Sequence, residues 1–93
     1  MKIILCAGKN GRAVLIGDVP RAPTHGKPVT LKNARMVLYW DRKCGGLLGL
    51  AANGPRGSTR ITAEIPRTGS GPWQQWIEMT PKAAKAVNKW PAC

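Results

Sequence analysis

The sequence predicts an α+β fold: a small, mostly antiparallel, curved sheet or partly closed barrel of about five strands, with a short central helix and a C-terminal helix. Three observations carry this. Apolar runs of strand length alternate with Gly, Pro and Asn turns. One strongly amphipathic helical stretch stands at the C-terminal end. The 11 Gly and 8 Pro of 93 residues require short elements and many turns. A chain this short makes one domain, residues 1–93, with a small core and no room for a lid or a large ligand cavity.

Lys2 to Ala7 reads as a strand, with Cys6 a small buried hydrophobe inside it. Gly8-Lys9-Asn10-Gly11 is a turn signal, and Arg12 to Gly17 is the second arm of a hairpin. The same four residues lack the spacing and following helix of a phosphate loop. Asp18 to Pro28, with three prolines, Gly26 and the basic Arg21, His25 and Lys27, reads as an ordered surface loop. Val29 to Lys32 is a short strand or a lead-in to Arg35–Trp40. In that run Met36, Leu38 and Trp40 share one face and Arg35, Val37 and Tyr39 the other. Both faces are largely apolar, which predicts a central strand covered on both sides. Asp41 to Gly46 is a loop, and Leu47 to Ala52 a short helix with Leu47, Leu50 and Ala51 on one face. Asn53-Gly54-Pro55 stops it, and Gly49 inside costs it about 1 kcal/mol against Ala.

Arg56 to Arg60 is a polar, basic step. Thr59 to Ile65 alternates, with Ile61, Ala63 and Ile65 facing one way. Pro66 to Pro72 reads as a loop. Trp73 to Met79 is a further strand, with Trp73, Gln75, Ile77 and Met79 on one face and Gln74, Trp76 and Glu78 on the other. Thr80-Pro81 is a helix start, a Thr N-cap with Pro in the first turn. From there Ala83, Ala86, Val87 and Trp90 form an apolar stripe opposite a basic one of Lys82, Lys85 and Lys89.

Charge is the strongest functional signal. Fifteen Lys and Arg face four acids, Asp18, Asp41, Glu64 and Glu78, for a formal net charge of +11. Such a surface favours polyanions: nucleic acid, a nucleoprotein or an acidic protein face. Phe is absent, so four Trp and one Tyr supply all the aromatic bulk. Core packing is the first expectation for Trp73 and Trp76. If exposed, either Trp could stack a base.

The inventory for catalysis is thin. One His, three widely spaced Cys and four acids give no close-spaced ligand pairs for a structural zinc and no disulfide framework. Free thiols in a reducing, cytoplasmic setting are expected. Cys93 reads as exposed. Cys44 stands beside Arg42 and Lys43, which favour its thiolate, and the ordinary expectation there is an exposed thiol. His25 reads as a loop histidine, and pairing it with Cys44 is the only nucleophile–base arrangement on offer. Glu64 and Glu78 are read as strand carboxylates that pair with each other or, more commonly, with Arg60 or another surface base. The expectation is no enzyme, no metal and no cofactor. The apolar run Ile3–Ala7 is too short for a signal peptide, and no stretch approaches a membrane span.

Asn33 to Pro55 carries a resemblance. Ala34-Arg35-Met36-Val37-Leu38-Tyr39-Trp40, then Gly46-Leu47-Leu48-Gly49-Leu50-Ala51-Ala52-Asn53-Gly54-Pro55, resembles the core of an uncharacterised family of small tailed-phage and prophage proteins. That core runs A-R-aliphatic to W, a polar loop, then G-L-G-x-L-A-x-x-G-P; here one more Leu separates the glycines. About half the chain is covered. The resemblance implies a phage-encoded accessory protein in the host cytoplasm and implies no reaction.

The expected function is therefore binding. Arg42, Lys43, Arg56 and Arg60 lead as the contact surface for nucleic acid or a nucleoprotein complex. Arg67 and the Lys82, Lys85, Lys89 stripe follow, with Tyr39, Trp73 and Trp76 as aromatic anchors. The alternative is an anti-CRISPR-like inhibitor of a host-defence system that docks on an acidic protein surface through the same residues. A structural role in a virion is the third, weaker option.

Overall fold

The 11-residue strand β3 (Val29–Tyr39) organises the computed structural model, which describes all 93 residues. On one side it pairs antiparallel with β2 (Ala13–Asp18), which forms a hairpin with β1 (Lys2–Ala7). On its other side two short strands share it: β5 (Ile65–Ser70) along Val29–Ala34, and β4 (Arg60–Ile61) along Val37–Tyr39. The last strand, β6 (Trp73–Glu78), pairs antiparallel with β1. The result is a six-stranded antiparallel sheet, with β5 and β6 at its two ends.

That order dictates the curvature. β5 and β6 run in the same sense, one against β3 and the other against β1, yet only Gly71 and Pro72 separate them. Three residue steps span at most about 11 Å, so the two far edges of the sheet must meet at that point. The sheet therefore rolls up, and it remains unclosed because β5 and β6 share no ladder. Two bonds fasten the junction: Gly8 N–H donates to Pro72 O (2.9 Å), and the Trp73 indole N–H donates to Lys27 O (2.7 Å).

Each face of the sheet has its own core. The concave face holds Ile3, Leu5, Val29, Leu31 and Ala34, closed over by the half-buried Leu15, Trp73 and Trp76. The other face packs Ile4, Ile16, Val37 and Ile61 against two helices, α1 (Gly46–Asn53) and α2 (Pro81–Lys89). This is why Ile3 to Ala7 is apolar without alternation: β1 is covered on both sides. Thr80 caps α2 by accepting from Ala83 N–H, and its own hydroxyl donates to Ala52 O, which ties the two helices together.

Several elements depart from the sequence reading. The alternating run Thr59–Ile65 is broken after Arg60–Ile61, with Ile65 already opening β5, because at Thr62 both N–H and Oγ1 are drawn onto the Met36 backbone. The expected loop Pro66–Pro72 is instead mostly strand. β5 is an edge strand, where a Pro without an N–H costs no ladder bond. In β6 the register slips between Cys6 and Ala7, so Trp73 and Trp76 share the concave face instead of lying on opposite ones. The segment Arg35–Trp40 is not covered on both sides. Arg35 and Val37 are buried under the helices, whereas Met36, Leu38 and Tyr39 are exposed.

Arg35 is the least expected of these. It is 6% exposed and has no acid beside it. Its guanidinium donates to three carbonyls: Thr62 O from Nε (2.7 Å), Val87 O from Nη1 and Trp90 O from Nη2 (2.9 Å). Two of these carbonyls belong to the C-terminal turn of α2, where Val87 O accepts only the cap Trp90 N–H from the backbone and the dipole favours a cation. A strand arginine thus fastens the last helix to the sheet.

Candidate basic interface

Asp41 assembles the candidate surface. Its carboxylate accepts from Lys43 N–H (2.9 Å), Ser58 N–H (3.0 Å) and Ser58 Oγ–H (2.9 Å). One carboxylate therefore stitches the 3-10 turn Arg42–Cys44 to the loop before β4. Thr59 adds a second stitch beneath: its Oγ1 accepts from Asp41 N–H (3.1 Å) and donates to Arg56 O (2.6 Å). Gly57 is needed here, with φ of 62° and with any Cβ falling 2.4 Å from Asp41 Oδ2. The two loops become one corner from which Arg42, Lys43, Arg56 and Arg60 all project into solvent. Tyr39 stands opposite Arg60 in the β3–β4 register and is 49% exposed.

The same three N–H and O–H donors, the Lys43 amide first, hold the Asp41 pKa at about 2, against 3.8 ordinarily. A carboxylate whose folded pKa lies below its unfolded one stabilises the fold above pH 4, and that contribution fades as pH falls from about 4 towards 2. Asp18 adds to the same window. Burial opposes its charge, but hydrogen bonds from Asn33 and Lys2 outweigh that and keep its pKa low. Urea midpoints measured between pH 5 and pH 2.5 should fall for the native chain and fall less for Asp41→Asn. Equal slopes in the two proteins would mean that the stitch contributes nothing to the fold.

The remaining sequence-predicted residues are distributed around this corner. Lys82, Lys85 and Lys89 lie on the exposed face of α2. The tail that follows runs against the corner: the Trp90 indole donates to Thr59 O (2.9 Å), and Ala92 bridges to Ile61. Lys89 therefore ends the lysine stripe beside β4. Arg67 is elsewhere, on β5 opposite Lys32. Trp73 and Trp76 are half-buried in the concave core, and the Trp73 indole N–H is already committed to Lys27 O. Of the three aromatic anchors, Tyr39 alone counts among the exposed large side chains.

Cys44 is not the exposed thiol that its basic neighbours suggest. It is buried in the helix-side core, with Sγ 3.3 Å from Thr59 Oγ1, because the 3-10 turn rotates it inward while Arg42 and Lys43 point out. His25 lies far along the fold in the β2–β3 loop, edge-on to the Trp73 ring at 6.3 Å. Burial pushes the Cys6 thiol up, away from the reactive thiolate. Glu64 and Glu78 form no ion pair with each other or with any base, since Glu64 falls between strands and Glu78 ends one. No three His, Cys, Asp or Glu side chains gather at one point.

Sequence reasoning found the four bases of the corner but not what joins them. Asp41 and Ser58 are 17 positions apart, and nothing in their local pattern announces the bond. No helix is long and apolar enough to cross a membrane. Compared with known proteins, residues 1–90 match a family model described as a domain of unknown function, DUF6948. No curated protein and no solved structure matches.

Proposed function

The chain belongs to the DUF6948 family, which prescribes no chemistry, and we propose that it acts by binding nucleic acid, free or within a nucleoprotein complex, through its basic corner. One observation carries the reading. Of the 15 Lys and Arg residues, Lys2 forms the single ion pair, with Asp18, and Arg35 is buried on carbonyls; every other one is exposed and unpaired. A chain that needed charge only for solubility would be free to scatter its bases. Here a dedicated carboxylate joins the turn that carries Arg42 and Lys43 to the loop that carries Arg56 and leads into Arg60. Phosphate contacts from such groups supply affinity with little sequence preference.

The setting we propose is that of a phage-encoded accessory protein in the host cytoplasm. It rests on the resemblance at Asn33–Pro55 and on three unpaired cysteines. The second reading is an inhibitor of host defence that docks on an acidic protein surface. It uses the same bases and is favoured by the exposed Tyr39 opposite Arg60.

The test is fluorescence anisotropy against labelled nucleic acid at two salt concentrations. Four phosphate contacts cost about 100-fold in affinity for a fourfold rise in salt. The variant Arg42→Ala/Lys43→Ala/Arg56→Ala/Arg60→Ala should lose most of that dependence along with most of the affinity. Absence of binding to any nucleic acid at low salt would sink the reading and leave the acidic protein surface in its place.

A further inference from the structure

We propose that the nucleic acid taken by this surface is an unpaired strand, of RNA or DNA, with its bases on an apolar strip that borders the basic corner. The inference rests on the nucleic-acid reading above and adds the state of the strand. A duplex turns its phosphates outward and hides its bases, so a surface built for duplex backbone needs cations and little else. This corner is bordered by apolar side chains that the fold leaves uncovered. Leu38 is 54% exposed, Met36 39% and Ile65 48%, and the exposed ring of Tyr39 adjoins Leu38 along β3. Met36 lies opposite Leu15, and Ile65 lies opposite Ala34. Met36 and Ile65, with Leu15 and Ala34, line an open cleft of 130 Å³, and Leu38 and Tyr39 extend the bare strip from it toward Arg60.

The gap has a structural origin. β5 covers the flank of β3 only as far as Ala34, and β4 begins at Val37. Between them Thr62 satisfies the Met36 backbone through both its N–H and its Oγ1. The polar atoms of this segment are thus paired while its side chains stay bare. Arg60 flanks the strip opposite Tyr39, and Arg12 precedes the β2 residues that pair with Val37 and Met36.

Charge decides the occupant. A second copy of the chain would bring another +11 to a surface already unpaired. An unpaired strand brings what the surface lacks, alternating phosphates for the arginines and flat apolar base faces for Tyr39, Leu38 and Met36. Each base stacked on an aromatic ring contributes enough to change affinity about 10-fold or more.

The deciding experiment compares single-stranded RNA, single-stranded DNA and duplex DNA of one sequence, plus poly-glutamate, by anisotropy at a fixed moderate salt. The native chain should bind an unpaired strand at least 10-fold more tightly than duplex, with the RNA and DNA arms showing which strand is preferred. Met36→Ser/Leu38→Ser, which touches neither the basic residues nor Tyr39, should erase most of that difference and leave weak duplex binding and its salt dependence as they were. Duplex bound as tightly as single strand overturns the inference while the nucleic-acid reading stands. Equal weakening of both substrates by the variant overturns it too. Poly-glutamate bound with no nucleic acid bound overturns both and points to an acidic protein. If the variant fails to fold, the native comparison of single strand with duplex decides alone.

Discussion

Arg35→Leu should destabilise the fold by about 3–5 kcal/mol, a large share of the roughly 5–14 kcal/mol that a domain of this length commands. The substitution keeps the bulk of the side chain and removes all three donors. The carbonyls of Thr62 and Trp90 are then left without partners, and Val87 O keeps only the Trp90 N–H, around a site that is almost fully buried. A buried unsatisfied acceptor costs about 1–3 kcal/mol. Partial hydration at Trp90, which is half-buried, places the total at the lower end of the sum. Replacing both sides of a buried polar contact with apolar groups can be neutral, but backbone carbonyls cannot be replaced, so that escape is closed. Arg35→Lys keeps the charge and offers one ammonium to acceptors on two elements. It should recover only part of the loss. Urea unfolding of both variants measures this. A change below about 1 kcal/mol for Arg35→Leu would show that α2 is held by its apolar face alone.

How much of this was legible from the residues depended on whether the signal was local. The β1–β2 hairpin and α2 were readable because their determinants sit within a few positions: a Gly-Lys-Asn-Gly turn between apolar arms, and Thr80-Pro81 ahead of a clean apolar stripe. The strand β5 was not, since Pro66 and Gly69 are loop formers by propensity and only an edge position admits them. The destination of Arg35 lies 52 and 55 positions away along the chain, on carbonyls that carry no sequence signature. Met36 and Leu38 read as core because they are apolar. Their exposure follows from the brevity of β4, which no periodicity encodes. The candidate surface shows the same division. Charge alone identified Arg42, Lys43, Arg56 and Arg60, while the Asp41–Ser58 bonds that bring them to one corner are tertiary. Cys44 fell on the wrong side of that line, because neighbours in sequence point out where it points in.

Gly49→Ala should be the second most damaging single change, although helix propensity alone would make it a gain of about 1 kcal/mol. A Cβ built on Gly49 lies 1.8 Å from Cys44 O, a backbone atom that no rotamer change can move aside. Helix α1 starts two residues after Cys44, so the 3-10 turn and the first turn of the helix fold back on each other with only a glycine between them. Adding the methyl group must push α1 off that turn. Leu50 and Ala51, both buried between α1 and the sheet, would be displaced with it. Overpacking of this kind typically costs about 1–3 kcal/mol and more where the neighbour is rigid. Against a backbone atom the cost lies at or above the top of that range, so a net loss of about 2 kcal/mol or more remains once the propensity gain is subtracted. The displaced turn also carries Arg42 and Lys43, so affinity for nucleic acid should fall under conditions where the variant is still folded. Leu48→Ala, on the solvent face of the same helix, is the control and should lie within about 0.5 kcal/mol of the native chain. If Gly49→Ala instead matches or exceeds native stability, the turn and the helix are not in the close contact that assembles the basic corner, and the surface proposed for the unpaired strand loses its scaffold.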